Sequence, residues 1–324
     1  MKIARLAHNF ATFLIGFNAT LFAADAVVAA DGSAKYKTVQ EAINAAPQLA
    51  APGKIWTILV KPGIYHEVVY VQREKRYIKL VGENAEATTI TAALHAKTIG
   101  ADGQVLGTFR TATVHIDADE FVVENLTIEN AAGPVGQALA LRVDGDRVVF
   151  RGCRFLGWQD TILVNRGRHY FSGCLIVGAT DFIFGGATAF FEDCTLRCEN
   201  SSYITAASTP MEQAYGLVFS RCRIVGSKPE IRTYLGRPWR PYAMTAFLNC
   251  EISEVVRLEG WHNWGKLENE KTARYTEQGN TGNGAETGKR VTWAHQLSVE
   301  DAAAFTVEKV LGGSDGWRPA SPTP

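Results

Sequence analysis

The residues best placed by type and spacing to do chemistry are two aspartates. Asp160 stands seven residues after Cys153, and Asp181 seven after Cys174. A repeat that stacks the two cysteines therefore stacks the two carboxylates, on strands about 4.8 Å apart. Carboxylates that close resist ionising together, so one keeps its proton while the other stays charged. A charged carboxylate beside a protonated one is a nucleophile or base beside a general acid. That pair suits hydrolysis of an ester or a glycoside. A plainer reading is open too, since Asp at a turn often only bonds its own backbone.

The neighbours favour chemistry. Gln159 adjoins Asp160, and Gln137 follows Gly136 in the preceding turn; side-chain amides beside a carboxylate pair can hold a developing oxyanion. Phe182, Ile183 and Phe184 after Asp181 would keep part of such a site dry, as packing residues would also do. Arg237, in Gly236-Arg237-Pro238-Trp239, can clamp a carboxylate, but spacing alone does not bring it to the aspartates. Trp239, Trp261 and Trp264 fall in Gly- and Pro-rich stretches, where an indole either stacks on a sugar ring or caps the core. Other chemistries lack their residues. There is no Gly-x-Ser-x-Gly elbow, no His-Glu-x-x-His, no Cys-x-x-Cys and no phosphate-binding glycine loop.

The elements that must position these residues are legible in the cysteines. Val149-Phe150-Arg151-Gly152-Cys153 recurs as Tyr170–Cys174, Phe190–Cys194, Val218–Cys222 and Ala246–Cys250. Val122-Val123-Glu124-Asn125 reads as an earlier member with Asn125 at the cysteine position, giving intervals of 28, 21, 20, 28 and 28. Such a period marks a repeat architecture in which each unit buries its face against its neighbours. Each unit is a strand: Phe155, Ile176, Leu196, Ile224 and Ile252 stand two residues past the cysteine, with a mostly polar residue between. Units near 20 residues leave no room for a helix in each connection, which argues against a doubly wound sheet. The pattern predicts an all-β parallel β-helix with the cysteines as an inward ladder of core thiols. A disulfide involving Cys198 is the alternative. Thr38-Val39-Gln40-Glu41 is a capping box opening a helix to about Ala46, before Pro47. A second helical stretch runs from Ser298 to Gly312-Gly313, so short helices are expected to cap both ends.

Composition sets the class. The 324 residues carry 33 Lys+Arg and 33 Asp+Glu, with 46% hydrophobic and 20% charged residues, a folded-protein balance. Zero net charge argues against a nucleic-acid partner, which needs a basic surface. Past the N-terminal segment no apolar run approaches the ~20 residues of a membrane helix. That segment itself reads as a secretion signal: Lys2 and Arg5, an apolar stretch from Phe10 to Ala24, then Ala24-Asp25-Ala26 for cleavage. Residues 1–26 are thus expected to be a signal peptide and 27–324 a single domain, with Val27 opening the first strand and the mature chain secreted, extracellular or periplasmic.

Together and in this order, Gly136-Gln137-Ala138-Leu139-Ala140-Leu141-Arg142, Gln159-Asp160-Thr161, Asp181-Phe182-Ile183-Phe184-Gly185 and Leu235-Gly236-Arg237-Pro238-Trp239 resemble the pectin methylesterases, the pectinesterases of carbohydrate esterase family 8. The likeness runs from Val27 to about Gly313. It implies a right-handed parallel β-helix and hydrolysis of the methyl esters of polygalacturonate to pectate and methanol. By the resemblance Asp181 is the nucleophile, and Asp160 the general acid and then the general base. Gln137 and Gln159 stabilise the tetrahedral intermediates and Arg237 orients Asp181. Thr108, Gln137, Arg237, Trp239 and Trp261 contact pectin. It implies no metal or organic cofactor, and a monomer whose partner is the homogalacturonan chain, not a membrane or nucleic acid. Two departures bear on substrate choice: Leu163 stands where Tyr is usual, and Trp158 where Tyr or Phe is commoner.

Three other readings share these residues. Stacked carboxylates also suit a retaining glycosidase, yet the paired Asp-Asp and Gly-His-Gly segments of galacturonan hydrolases are missing, as is the acidic cluster of a calcium-dependent lyase. A non-catalytic carbohydrate-binding β-helix would need no acid–base pair. An esterase or thioesterase with a substrate other than pectin is compatible with Leu163.

Overall fold

A computed structural model describes residues 24–319 of the chain. Strands hydrogen-bond almost throughout in parallel, each to the strand one coil earlier and one coil later, forming a parallel β-helix with three faces. One face is an eleven-stranded sheet running from Ala26–Val28 to His295–Gln296. The other two join into a single thirteen-stranded sheet, because Leu175–Gly185 and Thr195–Ala207 each run across two faces.

The repeat follows from stacking. Phe150, Phe171, Phe191, Phe219 and Phe247 are register partners on successive strands. Their rings stack inside the coil with centroids 4.5–4.6 Å apart and interplanar angles of 8–15°. On a second inner side Phe155, Ile176, Leu196, Ile224 and Ile252 align in register, as the alternation implied. The cysteines point inward, all six free and buried. Each thiol of the repeat donates to a carbonyl on the preceding coil, as Cys194 Sγ does to Phe171 O and Cys250 Sγ to Phe219 O (both 3.6 Å). The residue before each cysteine is left-handed: Gly152, Gly173, Asp193, Arg221 and Asn249 have φ of 51–61°. Gly, Asn and Asp reach that region most readily, so they recur at this corner. Asn125 (φ 53°) belongs to this corner row. The earlier repeat is therefore framed one residue later than the sequence suggested: Leu126, fully buried, takes the cysteine position, because Val123 pairs with Phe150.

The ends differ from one another. Val39–Ala45 carries the expected capping box from Thr38 and Glu41, and its Val39, Ala42 and Ile43 close the N-terminal end of the core. The C-terminal stretch is two short helices, Val299–Ala302 and Val307–Leu311. The expectation that it caps the other end is corrected. Val307, Val310 and Leu311 pack on Val149, Tyr170, Phe190 and Val218, on the outer flank of the eleven-stranded sheet, because those outward residues are apolar and need cover. The C-terminal end is closed instead by Trp261, Tyr275 and Trp293, with ring centroids 4.4 and 5.8 Å apart. At the N-terminus Ala26, not Val27, opens the first strand. Asp25 exchanges hydrogen bonds with Thr57 at 2.9 and 2.8 Å, so cleavage after Ala26 would forfeit these contacts. The expected signal otherwise lies outside the described residues.

Candidate active site

Equal offsets from the cysteine ladder bring the two aspartates together. Arg154 pairs with Leu175 and Ile162 with Ile183, both 21 residues apart, so Asp160 and Asp181 lie on adjacent coils. Both have left-handed backbones, φ 64° and 48°. Asp181 sits where the Leu175–Gly185 strand breaks register with Thr195–Ala207, on either side of Thr180. Bulges of this kind lift a side chain out of the regular ladder. Both residues are buried, 8% and 5% exposed, although their side chains are ionisable. Gln137, Gln159 and Thr180 form a row of bridges across three coils beside them.

Arg237 joins this site from two coils further on, past the coil of Thr205. Its Nε donates to Asp181 Oδ1 at 2.9 Å and its terminal nitrogen to Oδ2 at 2.6 Å, a bidentate fork. The approach depends on Gly236: a Cβ there would lie 2.0 Å from Thr205 Oγ1, so a side chain would push the segment off its neighbour. Arg237 N–H then donates to Thr205 O at 3.0 Å. The guanidinium lies between the rings of Tyr203 and Trp264, 3.8 and 3.7 Å from their centroids. Two aromatic faces and one carboxylate thus fix its plane. His262 packs at a tilt against Tyr203 and Tyr234, with centroids 5.4 Å apart, and its Nδ1 accepts the Trp264 backbone N–H at 3.1 Å, steadying that sandwich.

Electrostatics separate the two acids. Burial and the neighbouring Asp181 push the Asp160 carboxyl from the ordinary 3.8 up to about 8, against a smaller opposing pull from Arg237. Burial also raises Asp181, but Arg237 bonds and faces its charge directly and opposes that rise. Near neutrality Asp160 is the protonated member and Asp181 the carboxylate that Arg237 holds. The arrangement offers an oriented oxygen nucleophile and a proton donor one coil apart.

The surrounding surface is an apolar floor. Ala112, Leu139, Leu163, Phe184 and Ala206 form a buried patch outside the coil, with Trp239 and Trp264 resting on it. Leu163, the departure noted above, is fully buried in that floor. Trp239 meets Phe184 edge-on at 5.8 Å and faces Phe109 at 6.5 Å. Thr108 opens the short helical turn Thr108–Arg110 on this side. Arg142 ties the turn down, donating to Phe109 O at 3.0 Å while pairing with Asp144 at 2.6 Å. Asp144 also meets His115, itself 3.0 Å from Asp117, in a tight acidic cluster beyond the floor. Trp261 is not in the cleft. It is 1% exposed, lies 4.4 Å from Tyr275, and donates its indole N–H to the buried Glu277 at 3.0 Å. Its place among substrate-contacting residues is therefore corrected; the indoles at the site are those of Trp239 and Trp264. Tyr203 and Trp264 as the clamp on Arg237 were missed; only the position of Trp264 in a Gly-bounded loop pointed to it.

Fold and site together define a parallel β-helix with a buried, arginine-held aspartate pair set in an aromatic cleft. The pectinesterase family model matches residues 25–314. Pectinesterase 31 of Arabidopsis thaliana is 39% identical over 284 residues, 86% of this chain and 89% of that one. Among solved structures, pectin methylesterase from carrot superposes with a TM-score of 0.83 at 35% identity, over 90% of this chain and 94% of that chain. PemA from Erwinia chrysanthemi superposes with a TM-score of 0.80 at 31% identity, over 93% and 100%. A pectin methylesterase variant in complex with a hexasaccharide matches over the same shares. The chain belongs to the pectinesterase family.

Proposed function

We propose that the protein is a pectin methylesterase, a carboxylic ester hydrolase acting on the methyl esters of polygalacturonate. The observation that carries this is the bidentate Arg237–Asp181 pair beside an Asp160 that holds its proton to about 8. An oxygen of the Asp181 carboxylate attacks the ester carbonyl carbon, and Gln137 and Gln159 donate to the resulting oxyanion. The C–OCH3 bond breaks as Asp160 gives its proton to the departing oxygen, and methanol leaves an acyl-enzyme on Asp181. Asp160, now a carboxylate, takes a proton from water. The hydroxide attacks the acyl carbon, and cleavage of the bond to Asp181 restores the nucleophile and frees a galacturonic acid, which gives its proton to solvent. Each group moves one proton or one electron pair, so the cycle closes on these side chains without a metal or organic cofactor.

Thr108, Trp239 and Trp264 flank the polymer in this reading, with Trp239 offering a ring face to a pyranose. The chain acts as a secreted monomer after loss of its N-terminal leader, in keeping with an extracellular polysaccharide as substrate. The deciding experiment compares methanol release from highly methylated pectin with hydrolysis of acetylated sugars and acyl thioesters by the purified chain. Methanol release alone is expected. Turnover of the thioester or acetyl ester without methanol would move the site to another ester.

A further inference from the structure

Trp264 covers the Arg237 guanidinium from a backbone conformation that an aromatic residue adopts only at a cost. Its φ is 63°, in the left-handed region, and the guanidinium lies 3.7 Å from its ring centroid. Hydrogen bonds from the preceding residues offset that cost. The Trp264 backbone N–H donates to His262 Nδ1 at 3.1 Å, and the Gly265 N–H donates to Asn263 Oδ1 at 2.8 Å. His262 is anchored in turn. Its own N–H donates at 3.1 Å to the carbonyl of Gly236, the residue before Arg237, and its ring packs on Tyr203 and Tyr234 with centroids 5.4 Å away. This one residue therefore joins the two halves of the clamp, the segment that carries Arg237 and the loop that carries Trp264.

We propose that His262 is a positioning residue for ester hydrolysis: as the neutral imidazole it holds Trp264 against Arg237, and so keeps the Arg237 fork aimed at Asp181. This rests on the methylesterase reading above. A backbone N–H can only donate, so Nδ1 is bare and the ring proton sits on Nε2. A second proton would go to Nδ1, set donor against donor, and place a new cation beside Arg237. The groups facing the imidazole are Tyr203 and Tyr234 from neighbouring strands, Arg237, which is paired with Asp181, and Arg257, 5.1 Å from the Tyr234 centroid. On its own loop Asn263 donates to Glu270 at 2.7 Å. Burial and the charge of Arg237 lower the His262 value below the ordinary 6.5. The bond to Trp264 is therefore intact near neutrality and is lost as pH falls through that lowered value.

The test uses His262→Phe, which keeps a packed ring without an acceptor, and His262→Asn, which keeps an acceptor without a titrating ring. Asn263 already makes the same bond to the N–H two residues on, so Asn suits this turn. On methylated pectin near neutral pH, His262→Phe lowers kcat about five- to tenfold, the worth of one hydrogen bond, and changes KM by less than about twofold. His262→Asn keeps kcat within about twofold of the wild type. Below about pH 6 the wild type falls toward His262→Phe, whereas His262→Asn falls only with the Asp181 limb that all three share. Solvent exchange of the Arg237 Nε–H, followed by NMR, gives a readout without turnover: slow in the wild type and His262→Asn, faster in His262→Phe. Equal kcat in wild type and His262→Phe, a loss in His262→Asn as large as in His262→Phe, or a wild-type advantage over His262→Phe that is constant with pH overturns the proposal. If His262→Phe does not fold, exchange in the wild type that speeds up in acid no more than in His262→Asn overturns it. If the wild type releases no methanol, the methylesterase reading fails by itself. The exchange rates then decide His262 alone: equal rates in wild type and His262→Phe overturn its role.

Discussion

Replacing Asp160 by Asn should stabilise the protein, and by an amount that grows with pH. Burial and Asp181 raise the folded-state value of Asp160 from 3.8 to about 8. A group that binds its proton more tightly when folded contributes stability below its unfolded value and loses it as pH rises to its folded value. Between these limits the wild type loses about 1.4 kcal/mol per pH unit through this one residue, roughly 4 kcal/mol by pH 7. Asn has nearly the same shape, keeps a hydrogen-bond donor and does not titrate, so it escapes that loss. Asp181, also raised, is present in both proteins and its contribution largely cancels. At about 2 °C per kcal/mol in a chain of this size, the variant should melt roughly 5–8 °C above the wild type at pH 7. The two should converge near pH 4. The assay is thermal unfolding followed by circular dichroism from pH 4 to 8. An offset that is constant with pH, or of opposite sign at pH 7, would refute the account of Asp160 as a carboxyl held neutral at the cost of stability.

The same ionisations shape activity. Acylation needs Asp160 protonated, so kcat/KM should fall about tenfold per pH unit above a pH near 8, and rise on the acid side as Asp181 ionises. A pH–rate profile that stays flat through pH 9 would contradict this. Trp264→Ala should lower kcat more than it raises KM, because it removes one face of the Arg237 sandwich. Trp261→Ala should instead cost about 3–5 kcal/mol of stability by opening the end of the aromatic stack. Steady-state kinetics and melting on both variants check the contrast, and matching profiles would deny it.

How much the sequence revealed depends on whether a residue belongs to the repeat. Asp160 and Asp181 were legible because the same offset from stacked cysteines fixes both, and stacking carries register from coil to coil. Phe155 and its four successors were legible for the same reason. Arg237 was reached only through the family resemblance and not through spacing, since it meets Asp181 across 56 residues through the close approach of Gly236 to Thr205. The tryptophans lie in loops without a period, so nothing in their spacing told the inward Trp261 from the cleft residues Trp239 and Trp264. Asn125 misled by one position because the left-handed corner accepts Asn as readily as Gly. The C-terminal helices were recognisable as segments, but their resting place depends on outward apolar residues contributed by several separate strands.

The most direct test of the central claim is methanol release from methylated pectin by the wild type and by Asp181→Ala, with circular dichroism confirming that both are folded. The account predicts methanol from the wild type and none above background from the variant, because among the described residues no other carboxylate pairs with Arg237. Methanol from a folded Asp181→Ala at a rate near that of the wild type would contradict it.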